Sequence, residues 1–180
     1  MIEEFLLEDH ESLAALLEDL SFALERRDVL RAFDLLDRFW ARLAVHIRAE
    51  NVCLFPAILN APAQLFIAEN GLPELNEVRA VIARLRNDHN FFMDDLARTL
   101  KIMRGLLSVE HHDDQGQQIE SVVLRISAVA CRLKEHNKLE EERVYSWPKI
   151  VLTAGELARL SDALSFELRN LPTRLLQTPE

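Results

Sequence analysis

Apolar residues recur at alternating steps of three and four along four long stretches of this 180-residue chain. Such spacing keeps one face of a helix apolar, whereas a half-buried strand alternates at every second residue. Only 4 Gly and 6 Pro are present, too few to supply the turns of a many-stranded sandwich or barrel. The pattern therefore predicts an all-α protein and excludes an all-β fold.

Breaks in the apolar pattern divide the chain into five predicted helices. They lie at about residues 2–26, 28–56, 73–107, 117–143 and 153–171. Asp28 suits the N-cap of the second helix, and Pro73 suits the first turn of the third. Thr153 and Glu156 form a predicted capping box at the start of the fifth. The very short connection after residue 26 makes the first two helices antiparallel neighbours.

These elements predict one domain over residues 1–180, built as an antiparallel up-down-up-down four-helix bundle with an extra C-terminal helix. The bundle occupies about residues 2–148, and the extra helix about residues 153–171. One leucine stripe on that helix indicates that it packs across the bundle or against another subunit. A homodimer through the C-terminal helix is the oligomer we expect in the second case.

The charge balance excludes several classes of partner. The net charge is -9 and no cluster of Lys and Arg appears, which argues against nucleic acid. The acidic first residues lack the basic start of a secretory signal, and no apolar stretch approaches the roughly 20 residues of a membrane span. We therefore expect a cytoplasmic protein with no membrane partner.

Apart from Thr99, six polar residues interrupt the apolar faces of the four long helices. They are His10 on the first helix, His46 and Glu50 on the second, His89 on the third, and His136 and Glu140 on the fourth. At a rise of about 1.5 Å per residue, the first two histidines lie roughly 25 Å from the turn that joins their helices. The other two lie roughly 30 Å from theirs. The sequence predicts one polar layer in an apolar core.

A metal site is the chemistry that best satisfies such a layer. Burying these groups without partners would cost several kcal/mol for each charged group, which is comparable to the stability of a whole domain. Within a helix, His46 with Glu50 and His136 with Glu140 lie four residues apart, so each pair shares a face. Four imidazoles and two carboxylates suit two borderline divalent ions such as iron. A hydrogen-bonded network is the alternative.

Glu142 is an alternative carboxylate on the fourth helix. It lies as far before Pro148 as Glu50 lies before Pro56. Six residues from His136, however, it would point about 120° away from the face of that histidine. We therefore predict Glu140 as the ligand.

The cysteines, the two loop histidines and the aromatic residues near the end of the bundle are not predicted to take part in catalysis. Cys53 and Cys131 are predicted to be small buried hydrophobes, and His111 and His112 to be solvated loop residues. Tyr145 and Trp147 are predicted to close the end of the bundle before Pro148, with electron transfer to or from the metal site as the alternative.

The order of these motifs resembles the hemerythrin-like, or HHE cation-binding, family of four-helix di-iron proteins, in which a single His precedes each of two HxxxE motifs. Here the pattern reads His10, HIRAE at 46–50, His89 and HNKLE at 136–140, within about residues 4–148. The resemblance implies that all six residues bind two non-haem irons, with Glu50 and Glu140 bridging them and an oxo or hydroxo bridge between the ions. Manganese is the alternative metal.

One departure from the family pattern concerns the third helix. Oxygen-carrying hemerythrins of invertebrates have a second His four residues after the first, where this chain has Met93. The resemblance then implies an extra exchangeable position on one iron. It also implies binding of O2, NO or peroxide for sensing, storage or scavenging. The alternative is a stress-response enzyme that removes nitric oxide or peroxide or repairs iron-sulfur clusters.

Overall fold

The computed structural model describes residues 2–108 and 115–173, and within these ranges the backbone forms helices and turns with no β-strand. The α-helices are α1 (Ile2–Glu25), α2 (Val29–Ala49), α3 (Phe55–Leu59), α4 (Leu75–Leu107), α5 (Gln115–Leu139), α6 (Trp147–Val151) and α7 (Ala154–Arg169). Two π-helical turns, Glu50–Leu54 and Glu140–Val144, directly follow α2 and α5. The all-α prediction is confirmed.

The four long helices pack around a common core. Contacts link α1 with α2, α2 with α4, α4 with α5, and α5 with α1. Two ion pairs give the direction of one neighbouring pair: Asp95 binds Arg125, whereas the earlier residue Asp88 binds the later residue Arg132. Helices α4 and α5 therefore run antiparallel.

The start of α2 agrees with the sequence, and the start of α4 does not. Asp28 is the N-cap of α2, and its side chain accepts a hydrogen bond from the backbone N–H of Arg31. In contrast, α4 begins only at Leu75, after the extended residue Glu74 with ψ of 149°. The prediction that Pro73 occupies the first turn of this helix is wrong, because the chain is still extended beyond the proline.

The π-helical turns change the predicted helix ends. The second helix was expected to reach about residue 56, yet α2 ends at Ala49 and the chain stays helical to Leu59. Pro56 is the second residue of α3, directly after the first π-helical turn. Likewise, Trp147 and Pro148 begin α6 instead of ending the preceding helix.

A polar layer divides the apolar core into two clusters. Leu13, Leu43, Phe92 and Leu133 belong to one cluster. Leu6, Ala49, Leu85 and Val144 belong to the other. Along the chain, each predicted histidine lies between a residue of the first cluster and a residue of the second. The core therefore positions four imidazoles at one level.

Helix α7 packs across the bundle. The capping box of Thr153 and Glu156 is present as predicted, and the helix contacts α1, α2 and the first π-helical turn. Arg48 of α2 donates to the Glu167 carboxylate at 2.6 Å and to the carbonyl of Asn170 at 3.1 Å, close to the end of α7. The homodimer through this helix stays a prediction.

Predictions about individual surface residues have mixed outcomes. Cys131 is exposed and Cys53 only half-buried, so the prediction of two buried cysteines is wrong. Cys131 lies on the outer side of α5, two residues from each of the buried core residues Val129 and Leu133. His111 and His112 lie outside the described residues. Where the structure is described, none of its helices combines the length and apolar character needed to cross a membrane.

Candidate metal centre

The six predicted residues lie together in one buried pocket, each no more than 5% exposed. His10 lies on α1, His46 on α2, His89 on α4 and His136 on α5, while Glu50 and Glu140 each begin a π-helical turn. The convergence follows from the helical register, because the six side chains replace apolar ones at a single level of the core. Their role as metal ligands stays a prediction.

The imidazoles form two close pairs. Nε2 of His10 lies 3.1 Å from Nε2 of His46, which we call the first pair. Nε2 of His89 lies 3.1 Å from Nε2 of His136, which we call the second pair. At this distance either one Nε2 carries the imidazole proton and donates it to the other, or both lone pairs bind a shared cation.

The two carboxylates lie between the histidine pairs. Glu50 places Oε1 3.5 Å from Nε2 of His46 and Oε2 3.3 Å from Nε2 of His89. Glu140 places Oε2 3.5 Å from Nε2 of His10 and Oε1 3.0 Å from Nε2 of His136. Each carboxylate therefore offers one oxygen to each pair, as a bridging ligand does.

Two aspartates fix the orientation of the histidines from the HxxxE motifs. Oδ2 of Asp9 lies 3.0 Å from Nδ1 of His46, and Oδ2 of Asp88 lies 3.3 Å from Nδ1 of His136. A carboxylate only accepts hydrogen bonds, so Nδ1 carries the proton and Nε2 is directed into the pocket. Arginines hold the aspartates in turn, Arg42 bonding Asp9 and Arg132 bonding Asp88.

The residue after each buried glutamate contacts a histidine from one of the two helices that carry a predicted histidine but no HxxxE motif. Oε1 of Glu141 lies 2.7 Å from Nδ1 of His10. The side-chain amide nitrogen of Asn51 lies 3.2 Å from Nδ1 of His89. Both residues follow the first position of a π-helical turn. The π-helical turns thus supply a pocket carboxylate and, one residue later, a partner for an imidazole.

Tyr145 also reaches the pocket, which the sequence did not predict. Its side chain is 2% exposed, and its hydroxyl lies 3.0 Å from Nε2 of His10, 2.9 Å from Oε1 of Glu50 and 3.3 Å from Oε2 of Glu140. The interpretation of Tyr145 as an aromatic closing the bundle end is therefore incomplete, because its polar atom belongs to the site. The second π-helical turn, which ends at Val144, brings it there.

Asp9 and Asp88 were not predicted as site residues. Each directly precedes a predicted histidine, so a repeated Asp-His pair was a visible signal. An aspartate beside a core position usually points to solvent, and the pairing across helices was not apparent from the sequence. Glu142, the alternative to Glu140, is 62% exposed, and Lys138 lies 4.0 Å from it.

The pKa shifts follow from burial and charge. Burial alone would lower the pKa of His46, but the carboxylates of Glu50 and Asp9 outweigh burial and raise it well above the usual range. The pKa of His136 is raised in the same way by Glu140, Glu50 and Asp88. One histidine of each pair is therefore more basic than a free imidazole when no metal is bound.

Two buried carboxylate oxygens identify what the pocket still needs. Among the described residues, Oε2 of Glu50 and Oε1 of Glu140 are buried and have no hydrogen-bond partner. Both face the second pair. Donor atoms about 3 Å apart fit adjacent ligands of an ion with bonds of about 2.1 Å. The donor set therefore fits a metal site.

A groove between α1 and α5 leads from the surface to the pocket. It has a volume of about 620 Å³, and its lining includes Leu7, His10, Leu133, Lys138 and Glu141. The pocket therefore approaches solvent where Glu141 contacts His10.

Comparison with protein-family models gives a match to the hemerythrin HHE cation-binding domain over residues 1–147. The chain belongs to the hemerythrin family. The buried cluster fits the metal-cation site expected of a hemerythrin domain. Neither the search of curated proteins nor the search of solved structures found a significant match.

Proposed function

We propose that this hemerythrin-family chain is a di-iron protein that binds a small diatomic molecule or oxidant, O2, NO or peroxide, for sensing, storage or scavenging in the cytoplasm. One observation carries the proposal: the two imidazole pairs face each other across two carboxylates, and each carboxylate contacts both pairs. In this proposal the four long helices form the up-down-up-down bundle expected from the sequence.

The proposed ligands divide into two sets. His10 and His46 hold one ion, His89 and His136 hold the other, and Glu50 and Glu140 contribute one oxygen to each. Mixed imidazole and carboxylate donors suit Fe(II), with Mn(II) as the alternative. When bound, iron supplies exchangeable coordination and one-electron redox chemistry.

The surrounding side chains favour a small ligand. Phe55 stacks on His89 with an interplanar angle of 8°, and Phe92 meets His136 edge-on at 88°. Phe92, Leu85 and Leu133 are almost fully buried, so these walls exclude bulk water. Apolar walls with a few converging polar atoms fit a diatomic molecule better than a polar organic substrate.

Metal content per chain tests the site. The protein, purified anaerobically without a tag, should contain about two irons per chain by inductively coupled plasma mass spectrometry. Glu140→Gln should lower the iron content, because it removes a charged donor from both ion sites. Glu142→Gln is the matched control and should leave the content unchanged, since Glu142 is 62% exposed.

The outcomes separate the competing interpretations. Manganese at the same stoichiometry would retain the site and reject iron. If loading with either metal failed to give stoichiometric binding, the polar layer would be a hydrogen-bonded network. With iron bound, reversible spectral changes on adding O2 or NO support the binding function. Sustained consumption of NO or peroxide would instead support the stress-response enzyme.

A further inference from the structure

The pocket is built from two similar halves. Each HxxxE motif is preceded by an arginine four residues before its histidine, Arg42 in one half and Arg132 in the other. Each motif ends at the first residue of a five-residue π-helical turn. The residue after that turn is Phe55 in the first half and Tyr145 in the second, five positions after the respective glutamate. These two aromatic residues therefore occupy equivalent positions.

Their rings lie at similar distances from the histidines. The ring centroid of Phe55 is 5.8 Å from that of His89, and the ring centroid of Tyr145 is 5.6 Å from that of His10. Both aromatic side chains are buried, at 0% and 2% exposure. The principal chemical difference between the two positions is one hydroxyl group, and it lies beside the first pair.

That hydroxyl lies among the metal donors of the first pair. Its distances of 3.0 Å to His10, 2.9 Å to Glu50 and 3.3 Å to Glu140 are close to the spacing among those donors, which is 3.1 to 3.5 Å. An outer hydrogen-bonding residue normally contacts one ligand from behind, as Asp9 contacts His46. The hydroxyl instead contacts three donors from within the pocket.

We propose that Tyr145 is a fifth protein ligand of the metal held by His10 and His46, and that the small molecule binds the metal held by His89 and His136. This inference rests on the proposed di-metal function. It makes the two ions inequivalent, with five protein donors on the first and four on the second.

The unpartnered oxygens support this asymmetry. Tyr145 contacts Oε1 of Glu50 and Oε2 of Glu140, which face the first pair. In the described part of the chain, Oε2 of Glu50 and Oε1 of Glu140 accept no hydrogen bond. Both face the second pair, where Phe55 offers no polar atom. The second ion is therefore the one with room for an external ligand.

Coordination by Tyr145 requires its phenol to lose a proton. The phenol O–H bond breaks, an oxygen–metal bond forms, and the proton leaves to solvent, as ionised protein ligands generally require. The oxidation state of the metal does not change in this step.

Spectroscopy of the ferric protein tests the ligation. Protein loaded with ⁵⁷Fe and oxidised with ferricyanide should show a visible phenolate-to-iron charge-transfer band and two Mössbauer doublets of equal area. Tyr145→Phe should abolish the band and shift one doublet while retaining about two irons per chain. Azide, used as the external ligand, should shift the doublet that Tyr145→Phe leaves unchanged.

Phe55→Tyr provides the matched variant, since it places a phenol at the equivalent position of the other half. It should add a second phenolate contribution and abolish azide binding, whereas Tyr145→Phe should retain azide binding. Two bound irons without a charge-transfer band in the wild-type protein would overturn the proposal and leave the di-iron function intact. Azide acting on the same doublet as Tyr145→Phe would overturn the assignment of the open ion. Failure to bind iron would instead reject the proposed function itself.

Discussion

Asp9 bonds His46 across the bundle, with 3.0 Å between Oδ2 and Nδ1, although its neighbour in the chain is His10. Asp88 repeats this relationship, since it precedes His89 but contacts His136. Each aspartate on a single-histidine helix therefore orients the histidine of an HxxxE motif on the adjacent helix. The two contacts tie helix packing to the geometry of the pocket.

Asp88→Asn should weaken metal binding about 10- to 100-fold, because an amide accepts a weaker hydrogen bond from Nδ1 of His136 and carries no charge. Competition with a chromogenic chelator measures the affinity. Asp95→Asn is the matched control: it also breaks an ion pair between α4 and α5, with Arg125, but lies away from the pocket. Equal losses of affinity in the two variants would mean that Asp88 acts only through helix packing.

Removal of metal should lower the unfolding temperature. Metal binds the folded pocket and not the dispersed ligands of the unfolded chain, so a metal concentration 100-fold above the dissociation constant adds about 2.7 kcal/mol for each ion. Scanning calorimetry of the chelated and reloaded protein measures the difference. Glu140→Gln should show a smaller difference than the wild-type protein. Equal unfolding temperatures for the chelated and loaded wild type would contradict metal binding in the core.

The stability of the metal-free protein should fall as pH rises. The folded pKa of His46 is raised above its ordinary value of 6.5, so its stabilising contribution is complete below that value. The contribution disappears as pH rises through the folded pKa. The pKa of Asp9 is lowered from 3.8, so its contribution is present above that value and disappears on acidification through the folded pKa.

Thermal unfolding of chelated protein from about pH 4 to pH 9 checks this dependence. Stability against unfolding should be greatest at a pH between the ordinary pKa values of the carboxyl and imidazole groups. Asp9→Asn should reduce the loss of stability at alkaline pH. With metal bound, the decline above pH 6.5 should disappear because the imidazoles are then neutral ligands. An identical alkaline decline with and without metal would show that it arises elsewhere in the chain.

The sequence predicted the pocket because its members break a strong pattern. A histidine in a leucine position is conspicuous when the surrounding steps of three and four are regular, as at His89 between Leu85 and Phe92. The position of each histidine along its helix then followed from the rise per residue, because the connections between paired helices are short. The same reasoning favoured Glu140, which is buried, over Glu142, which is exposed.

Tyr145 was missed because that reasoning assumes an unbroken α-helix. Five residues after Glu140, at about 100° per residue, it would lie roughly 140° from the glutamate's face. The π-helical turn from Glu140 to Val144 is wider, with hydrogen bonds to the fifth residue, and it returns Tyr145 to the pocket. The bond from Tyr145 N–H to the carbonyl of Glu140 marks this turn. The periodicity of apolar residues alone does not reveal where a helix accommodates the extra residue of a π-helical turn.

The packing of α7 gives a prediction about stability and assembly. Leu164 is fully buried against the bundle, whereas Phe166, two residues later, is 69% exposed. Leu164→Ala should reduce the free energy of unfolding by about 2–5 kcal/mol, because it leaves a cavity under the helix. Phe166→Ala should change it little. Urea denaturation measures the free energy of unfolding of both variants, and light scattering measures their mass in solution. A homodimer through α7 requires Phe166→Ala to favour the monomer. An unchanged mass would place any dimer contact elsewhere.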